Sequence, residues 1–443
     1  ISNVQTAELL SKFTGNWQRL LVSVNVASLG IIFSSLSGVI ALKEYIKVSK
    51  NEKLGKKIYI TGKGRCNFTN DTPPEDFLQS VVRGKKFLTG VIYAFPPQKV
   101  IELLENYGLS VKVERGNRAF PTSDHASDVT KTLEKACKSV GVEVFLNETV
   151  ECINTMRDII TLSDIDSTQN NDIMPRIVSV KTSKRLIECD ICIVATGGLS
   201  YPTTGSTGDG YKFAKMHGHS IVDLKPALCG FDLEGGYFKD LQGLSLKNVA
   251  LTVKNGGKTV FSGLGEALFT HFGISGPLIL SASSLVNRLD LKGIDASIDF
   301  KPALDEQTLD KRLLRDFEKF KNKKISNALA ELLPQKLIFA VLSAAGIPEY
   351  KNVNVLTKQE RLALLGALKH FPLKIKTLRG FQEAIVTSGG VSLNEINPKT
   401  MESKKVKGLK FCGEVLDVDA FTGGFNMQIA FSTGFAAGDS IKD

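Results

Sequence analysis

Three clusters of glycine, hydroxyl and acidic residues carry the chemistry that can be read in this chain. Residues 61–70, TGKGRCNFTN, set Gly62 and Gly64 ahead of Arg65, Cys66, Asn67 and Asn70. Residues 195–211, ATGGLSYPTTGSTGDGY, place Thr196, Gly197 and Gly198 directly after an apolar run. Gly205, Gly208 and Gly210 then lead into a helix expected over about residues 209–217. Residues 413–426, GEVLDVDAFTGGFN, combine Gly413, Glu414, Asp417 and Asp419 with Gly423, Gly424, Phe425 and Asn426. Glycine lets the backbone approach a flat or charged ligand closely. The bare amides of a helix start suit an anion. Carboxylates between such turns suit sugar hydroxyls. The chemistry is that of a nucleotide-like ligand held largely by backbone.

These clusters need a sheet to position them. Residues 186–198, LIECDICIVATGG, read as a buried parallel strand, because the apolar run is almost unbroken and ends in glycines. Open α/β sheets bind ligands beyond the carboxyl ends of their strands, where these glycines would sit. Such a fold normally opens with a strand, a G-x-G-x-x-G turn and an acidic residue about 20 positions on. Here the corresponding places read Val24-Asn25-Val26-Ala27-Ser28-Leu29 and Ser49. No G-K-[ST] ending marks a nucleoside-triphosphate loop. No Ser/His/Asp set and no metal-spaced cluster competes, and no metal is expected. His217 and His219 are read as helix-capping or surface residues.

Composition bounds the remainder. The chain has 443 residues, a net charge of +10 and seven cysteines. The charge is spread without a basic stripe or an aromatic-plus-arginine platform, which disfavours nucleic acid as a partner. An odd set of scattered cysteines fits reduced thiols in a cytoplasmic protein. Cys189 and Cys192 form a C-x-x-C, but an offset of three along a strand points their side chains to opposite faces. The charge-free stretch of residues 20–42 is long enough to span a bilayer, yet its serines and Asn25 argue against a membrane role. Residues 228–303 alternate short β-like runs with glycine turns, and residues 304–371 are lysine- and leucine-rich with helical spacing.

Five segments in order carry a resemblance: TGKGRCNFTN, ATGGLSYPTTGSTGDGY, GEALFTHFGISGP, VTSGGVSLNEINPKTMESK and GEVLDVDAFTGGFN. The chain resembles the BaiN/YhiN-type (aminoacetone-oxidase-like) flavoproteins from about Lys50 to the C-terminus. The resemblance implies an α/β fold: an FAD-binding Rossmann-like domain in two segments, 1–227 and 387–443. Between them it implies an inserted β-barrel-like plus helical domain over 228–386. It implies that Gly62, Gly64, Arg65, Cys66, Asn67 and Asn70 form a loop near the flavin. Thr196, Gly197 and Gly198 would lie toward the adenosine or pyrophosphate side. Val150, read as the end of the strand VEVFLNETV, would lie near the adenine. Gly413, Glu414, Asp417, Asp419, Gly423, Gly424, Phe425 and Asn426 would line the ribityl and isoalloxazine end. His271, beside Gly273 and Gly276, is a weak candidate for a substrate-side catalytic group. The pattern is joined only at about Lys50, and a frameshift upstream would explain why spacing survives there while identity does not.

The expected activity is FAD-dependent two-electron transfer with a small organic substrate in a cleft between two domains. NAD(P)H is expected at most as a transient reductant, since no second G-x-G-x-x-G is present. Two other readings stay open. One is a degenerate, non-catalytic paralogue that has lost its cofactor fingerprint. The other is an RNA-linked flavoprotein, which the basic balance admits.

Overall fold

In the computed structural model the described residues are 38–42, 46–156 and 174–441. The expected G-x-G-x-x-G position at 24–29 and most of the charge-free stretch lie outside them. The chain divides into two compact units, one of Ile1–Lys225 with Val386–Asp443 and the other of Pro226–Ile385.

In the first unit, β1 (Gly38–Leu42) and β2 (Ile46–Val48) precede the short helix α1 (Lys56–Ile60). Then come β3 (Thr69–Asn70), β4 (Val81–Arg83), β5 (Val111–Glu114), β6 (Arg118–Pro121) and α2 (Ala126–Ser139). Next are β7 (Glu143–Phe145), β8 (Val150–Thr155), β9 (Ile177–Thr182), β10 (Leu186–Glu188), β11 (Ile191–Ala195) and α3 (Asp209–Met216). After residue 385 the unit resumes with β12 (Leu409–Phe411), β13 (Asp419–Ala420) and α4 (Phe425–Asp439). The central sheet has the order β12-β11-β1-β2-β7. β11 and β12 are parallel, as are β2 and β7. β1 runs antiparallel to both its neighbours, β11 and β2, with Gly38 opposite Ala195. Only three residues separate β1 from β2. A parallel pair needs a crossover of a dozen or more residues, so this short connection dictates the reversal. As a result β1 ends at the sheet edge opposite the one where β11 ends.

Helix packing follows the apolar spacing. α2 buries Ala126, Val129, Leu133 and Ala136 at three- and four-residue intervals, so one stripe faces the core. α4 is buried on nearly every side, and its small residues Ala430, Ser432, Gly434, Ala436 and Ala437 permit that close packing. Lys410, on β12, is itself buried and donates to the carbonyl of Ala437 (2.8 Å) and to Ser440 (2.6 Å). It therefore satisfies the carboxyl end of α4, where a cation is favoured. Burial pulls its ammonium down to about 8. Lys47, on β2, is likewise buried and pulled down to about 8 by burial.

Four local expectations are corrected. The segment KKIYI, which reads from sequence as a short strand or turn, is the helix α1, because left-handed Gly55 (φ 69°) opens a turn that accepts the amides of Ile58 and Tyr59. The strand of residues 143–145 stops before Val150, which instead begins β8. His217 does close α3, but His219 is buried and bonded to Glu395 (3.1 Å) and Ser403 (2.9 Å). Burial holds its imidazole below the ordinary histidine range, against the opposing pull of Glu395. Cys189 lies outside β11, so the two-face argument does not describe its C-x-x-C; both cysteines are buried and neither forms a disulfide.

The second unit contains a seven-stranded sheet whose ladders are all antiparallel. Its long hairpin is Ser245–Asn255 with Lys258–Phe269. Helices Glu306–Lys319, Gln335–Ala344 and Lys358–Lys369 follow, the last opened by a Thr357/Glu360 capping box. No helix among the described residues is long and apolar enough to cross a membrane.

Candidate functional site

Unit 1 gathers the expected site residues into three neighbourhoods. The first lies at the amino end of α4. Gly424 caps the helix at φ 95°, and a Cβ there would meet the Thr69 carbonyl oxygen at 2.4 Å. Only glycine permits that approach. Gly423 is also left-handed (φ 123°), and its carbonyl accepts from Asn70 Nδ2 at 3.0 Å. Asn70 donates to Gly116 as well (2.9 Å), while its buried Oδ1 has no partner. Thr69 donates to Gln428 on α4 (2.6 Å), which ties β3 to the helix. Phe425 packs edge-on against Phe77, at 5.1 Å between ring centroids. The Asn426 amide clamps the backbone of Ala420, accepting at 2.9 Å and donating at 2.8 Å, so it shapes the turn from within.

The loop of residues 61–67 adjoins β3. Gly62, Lys63, Gly64 and Cys66 all have positive φ. Asn67 donates to the carbonyls of Thr69 (2.8 Å) and Ala119 (3.0 Å). Arg65 is engaged elsewhere. It bonds Asp124 (2.8 Å) and Glu114 (3.2 Å) and lies 4.3 Å from the centre of the Phe120 ring. Cys66 is fully buried, and burial pushes its thiol up to about 12. A thiol so placed is inert.

The second neighbourhood is built around Glu414. Its carboxylate accepts from Ser200 Oγ (2.6 Å), the Thr387 amide (2.8 Å) and Lys57 Nζ (2.6 Å). A Cβ on Gly198 would strike Thr387 Oγ1 at 2.4 Å, so glycine is required beside this network. Gly197 and Gly413 are left-handed, and the Gly413 amide donates to Thr433 on α4 (3.0 Å). Thr196 ends the apolar run, its hydroxyl lying where a Cβ on Gly210 would fall. Asp417 takes a two-pronged bond from Arg83 (2.8 and 2.9 Å). Asp419 is buried and accepts from Ser388 (3.1 Å). The Tyr211 hydroxyl is buried without a partner. Burial, and then the charges of Glu414 and Asp417, hold it well above the usual phenol range.

The third neighbourhood is an open pocket of about 400 Å³ lined by residues 48–51 and 148–150 with Thr196, Gly205, Asp209 and Phe213. Val150 and Thr196 are the expected residues here. Lys50 binds Asp209 and Thr207 across it.

Lys57, Arg83, Ser200, Tyr211, Thr387 and Glu148 were not singled out from sequence. Ser200, Tyr211 and Thr387 lie inside the resembling segments, and that was the available signal. Lys57 and Arg83 sit on ordinary-looking helix and strand text. His271 lies in the other unit, exposed, with its ring edge-on to Phe272.

A Rossmann-type sheet whose glycine turns and carboxylates gather in one unit defines a nucleotide-cofactor-binding α/β protein. The family model described as the HI0933-like protein Rossmann domain matches residues 39–440. The chain therefore belongs to that family. The match begins upstream of Lys50 and takes in β2 and all of β1 but its first residue. Ribosomal RNA dihydrouridine synthase of Escherichia coli (strain K12) is 29% identical over 426 residues, 95% of this chain and 97% of that protein. The 3-dehydro-bile acid delta(4,6)-reductase of Clostridium scindens is 27% identical over 426 residues, 94% of this chain and 99% of that protein. Among solved structures, the 3-ketosteroid-delta4-(5alpha)-dehydrogenase of Rhodococcus jostii RHA1 is 13% identical, with a TM-score of 0.44, and covers 95% of this chain and 94% of its own.

Proposed function

We propose that this chain saturates a carbon–carbon double bond conjugated to a carbonyl in an organic substrate, using FAD. The named activities of two relatives, making dihydrouridine and reducing a bile acid at Δ4,6, are both saturations of carbon–carbon double bonds. When bound, FAD supplies the two-electron chemistry, and the protein supplies binding and orientation. The observation that carries the reading is the turn Gly423-Gly424 pressed on Thr69. It leaves the first amides of α4 and the unpartnered Asn70 Oδ1 at one place. A donor set of backbone amides with one amide oxygen fits the edge of a flat heterocycle that both donates and accepts.

In this reading Gly62, Gly64, Cys66 and Asn67 shape the loop beside that edge, and Arg65 braces the loop through Glu114 and Asp124. Gly413, Glu414, Asp417 and Asp419 serve the ribityl stretch, with Asn426 holding the turn. Thr196, Gly197, Gly198 and Val150 serve the adenosine side. His271 is assigned no role. NAD(P)H is the proposed external reductant.

The test is reductive titration under anaerobic conditions. Reduced flavoprotein mixed with a cyclic enone should regain its visible flavin absorbance with stoichiometric loss of the double bond. Reoxidation by oxygen alone, with every enone returned intact, would overturn the reading.

A second substrate class is favoured by one observation. The chain is strongly basic, at +10, and relatives in Escherichia coli and Haemophilus influenzae are named ribosomal RNA dihydrouridine synthases. For a uridine in structured RNA, affinity should fall steeply with salt, as phosphate contacts release counterions. A salt-independent affinity would remove RNA from consideration.

A further inference from the structure

The acid that dinucleotide-binding sheets carry at the end of their second strand is absent here, because that place is Ser49. Ser49 follows β2 directly and is buried. Its own hydroxyl accepts from the Asn51 amide (3.3 Å), so it is committed to the local turn. The chain brings another carboxylate to the same spot. Residues 146–149 connect β7 to β8 and run back beside the end of β2, where the Glu148 amide donates to the Ser49 carbonyl (3.1 Å). The Glu148 side chain is 1% exposed and lines the pocket formed with residues 48–51, Val150 and Thr196.

The orientation of this carboxylate is fixed. Thr182, paired with Val150 in the β8–β9 ladder, donates its hydroxyl to Glu148 Oε1 at 2.5 Å. Arg185 Nε lies 3.1 Å from the same oxygen, and its guanidinium stacks over Phe145 at 4.0 Å. Both contacts fall on Oε1, and neither engages Oε2. Arg185 supplies the charge balance that a buried carboxylate needs. Asp209, the other carboxylate of the pocket, is differently committed. Its Oδ2 is held by Lys50 and Thr207, and Lys212 approaches its Oδ1 at 3.4 Å.

We infer that Glu148 accepts the ribose hydroxyls of the FAD adenosine, replacing the acid missing at Ser49. This rests on the reading of the chain as an FAD protein. A hydroxyl bonded to a carboxylate is a charge-assisted hydrogen bond, strong enough that its loss shows in affinity.

The experiment measures FAD and FMN affinity for the apoprotein by quenching of flavin fluorescence, since FMN lacks the adenosine. Glu148→Gln should weaken FAD about 10- to 100-fold and leave FMN within about twofold, the FMN value also reporting a folded site. Asp209→Asn should change FAD affinity by less than about threefold, since its carboxylate is already committed to Lys50, Thr207 and Lys212. Ser49→Glu in the Glu148→Gln background should recover most of the loss. FAD affinity unchanged in Glu148→Gln, or equal losses for FAD and FMN, would overturn the inference while leaving the flavin reading intact. A larger FAD-specific loss in Asp209→Asn would move the role to Asp209. Wild-type protein that binds neither flavin would overturn both.

Discussion

The two ends of the proposed cofactor site are built by different means. At the amino end of α4, backbone carries the site: Gly424 touches Thr69 where a Cβ would clash at 2.4 Å, and Asn426 and Gln428 lock the turn to its surroundings. At the pocket beside β2, side chains carry it. There the inferred ribose acceptor Glu148 takes the place of the acid that such sheets normally carry at the end of the second strand, with Lys50 and Asp209 paired beside it. The contrast follows from topology. α4 enters at the carboxyl side of the sheet with a bare amino terminus, whereas reversed β1 ends at the opposite edge. Backbone-built sites tolerate little change, because no alternative rotamer relieves a main-chain clash. Side-chain-built sites adjust.

This difference predicts a graded series of outcomes. Gly424→Ala should have the largest effect. A left-handed non-glycine residue alone costs about 1–3 kcal/mol, and the clash with Thr69 adds to it. The variant should melt earlier and lose bound flavin, read together in a thermal ramp monitored by flavin fluorescence.

Arg83→Met comes next. It strips Asp417, whose side chain is 12% exposed, of both its bonds. Allowing for the partial exposure of Arg83, the cost is about 2 kcal/mol. Chemical denaturation should show it, and Arg83→Met/Asp417→Asn should recover part of the loss.

The far end of α4 gives a pH signature. Lys410 titrates at about 8 in the fold against 10.5 for a free lysine, because burial disfavours its charge. Between those values the unfolded chain binds more protons at this site than the folded one, so the contribution of Lys410 to stability should rise as pH climbs from about 8 toward 10.5. Lys410→Met should lower the slope of urea midpoint against pH relative to the parent; Lys47, also held at about 8, acts in the same sense, and the buried thiols, Cys66 among them, act in the opposite sense above about pH 9.

The smallest effect belongs to the pocket beside β2. Lys50→Met removes a half-buried pair with Asp209, and its cost should stay under about 1 kcal/mol. A loss as large as that of Gly424→Ala would erase the contrast between the two ends.

The backbone-built end of the proposed site is legible in the sequence and much of the other end is not, and the reasons are physical. A glycine pair before a helix signals a conformational requirement that few other residues meet, so Gly423 and Gly424 could be read directly. Glu148 gives no such signal, because its role depends on the chain doubling back beside β2. Lys57 and Arg83 acquire meaning only through partners distant in sequence, Glu414 and Ser200 for the first and Asp417 for the second. His219 looked like surface text until Glu395 and Ser403 closed around it. The helical state of KKIYI rested on one left-handed glycine, since five residues are too few to reveal a period. The reversal of β1 depended on a three-residue connection rather than on any residue type.

The most direct test of the account is the visible spectrum of the purified protein, with identification of the cofactor released on denaturation. The account predicts flavin bands and release of close to one FAD per chain. A colourless protein that takes up no added FAD would contradict it.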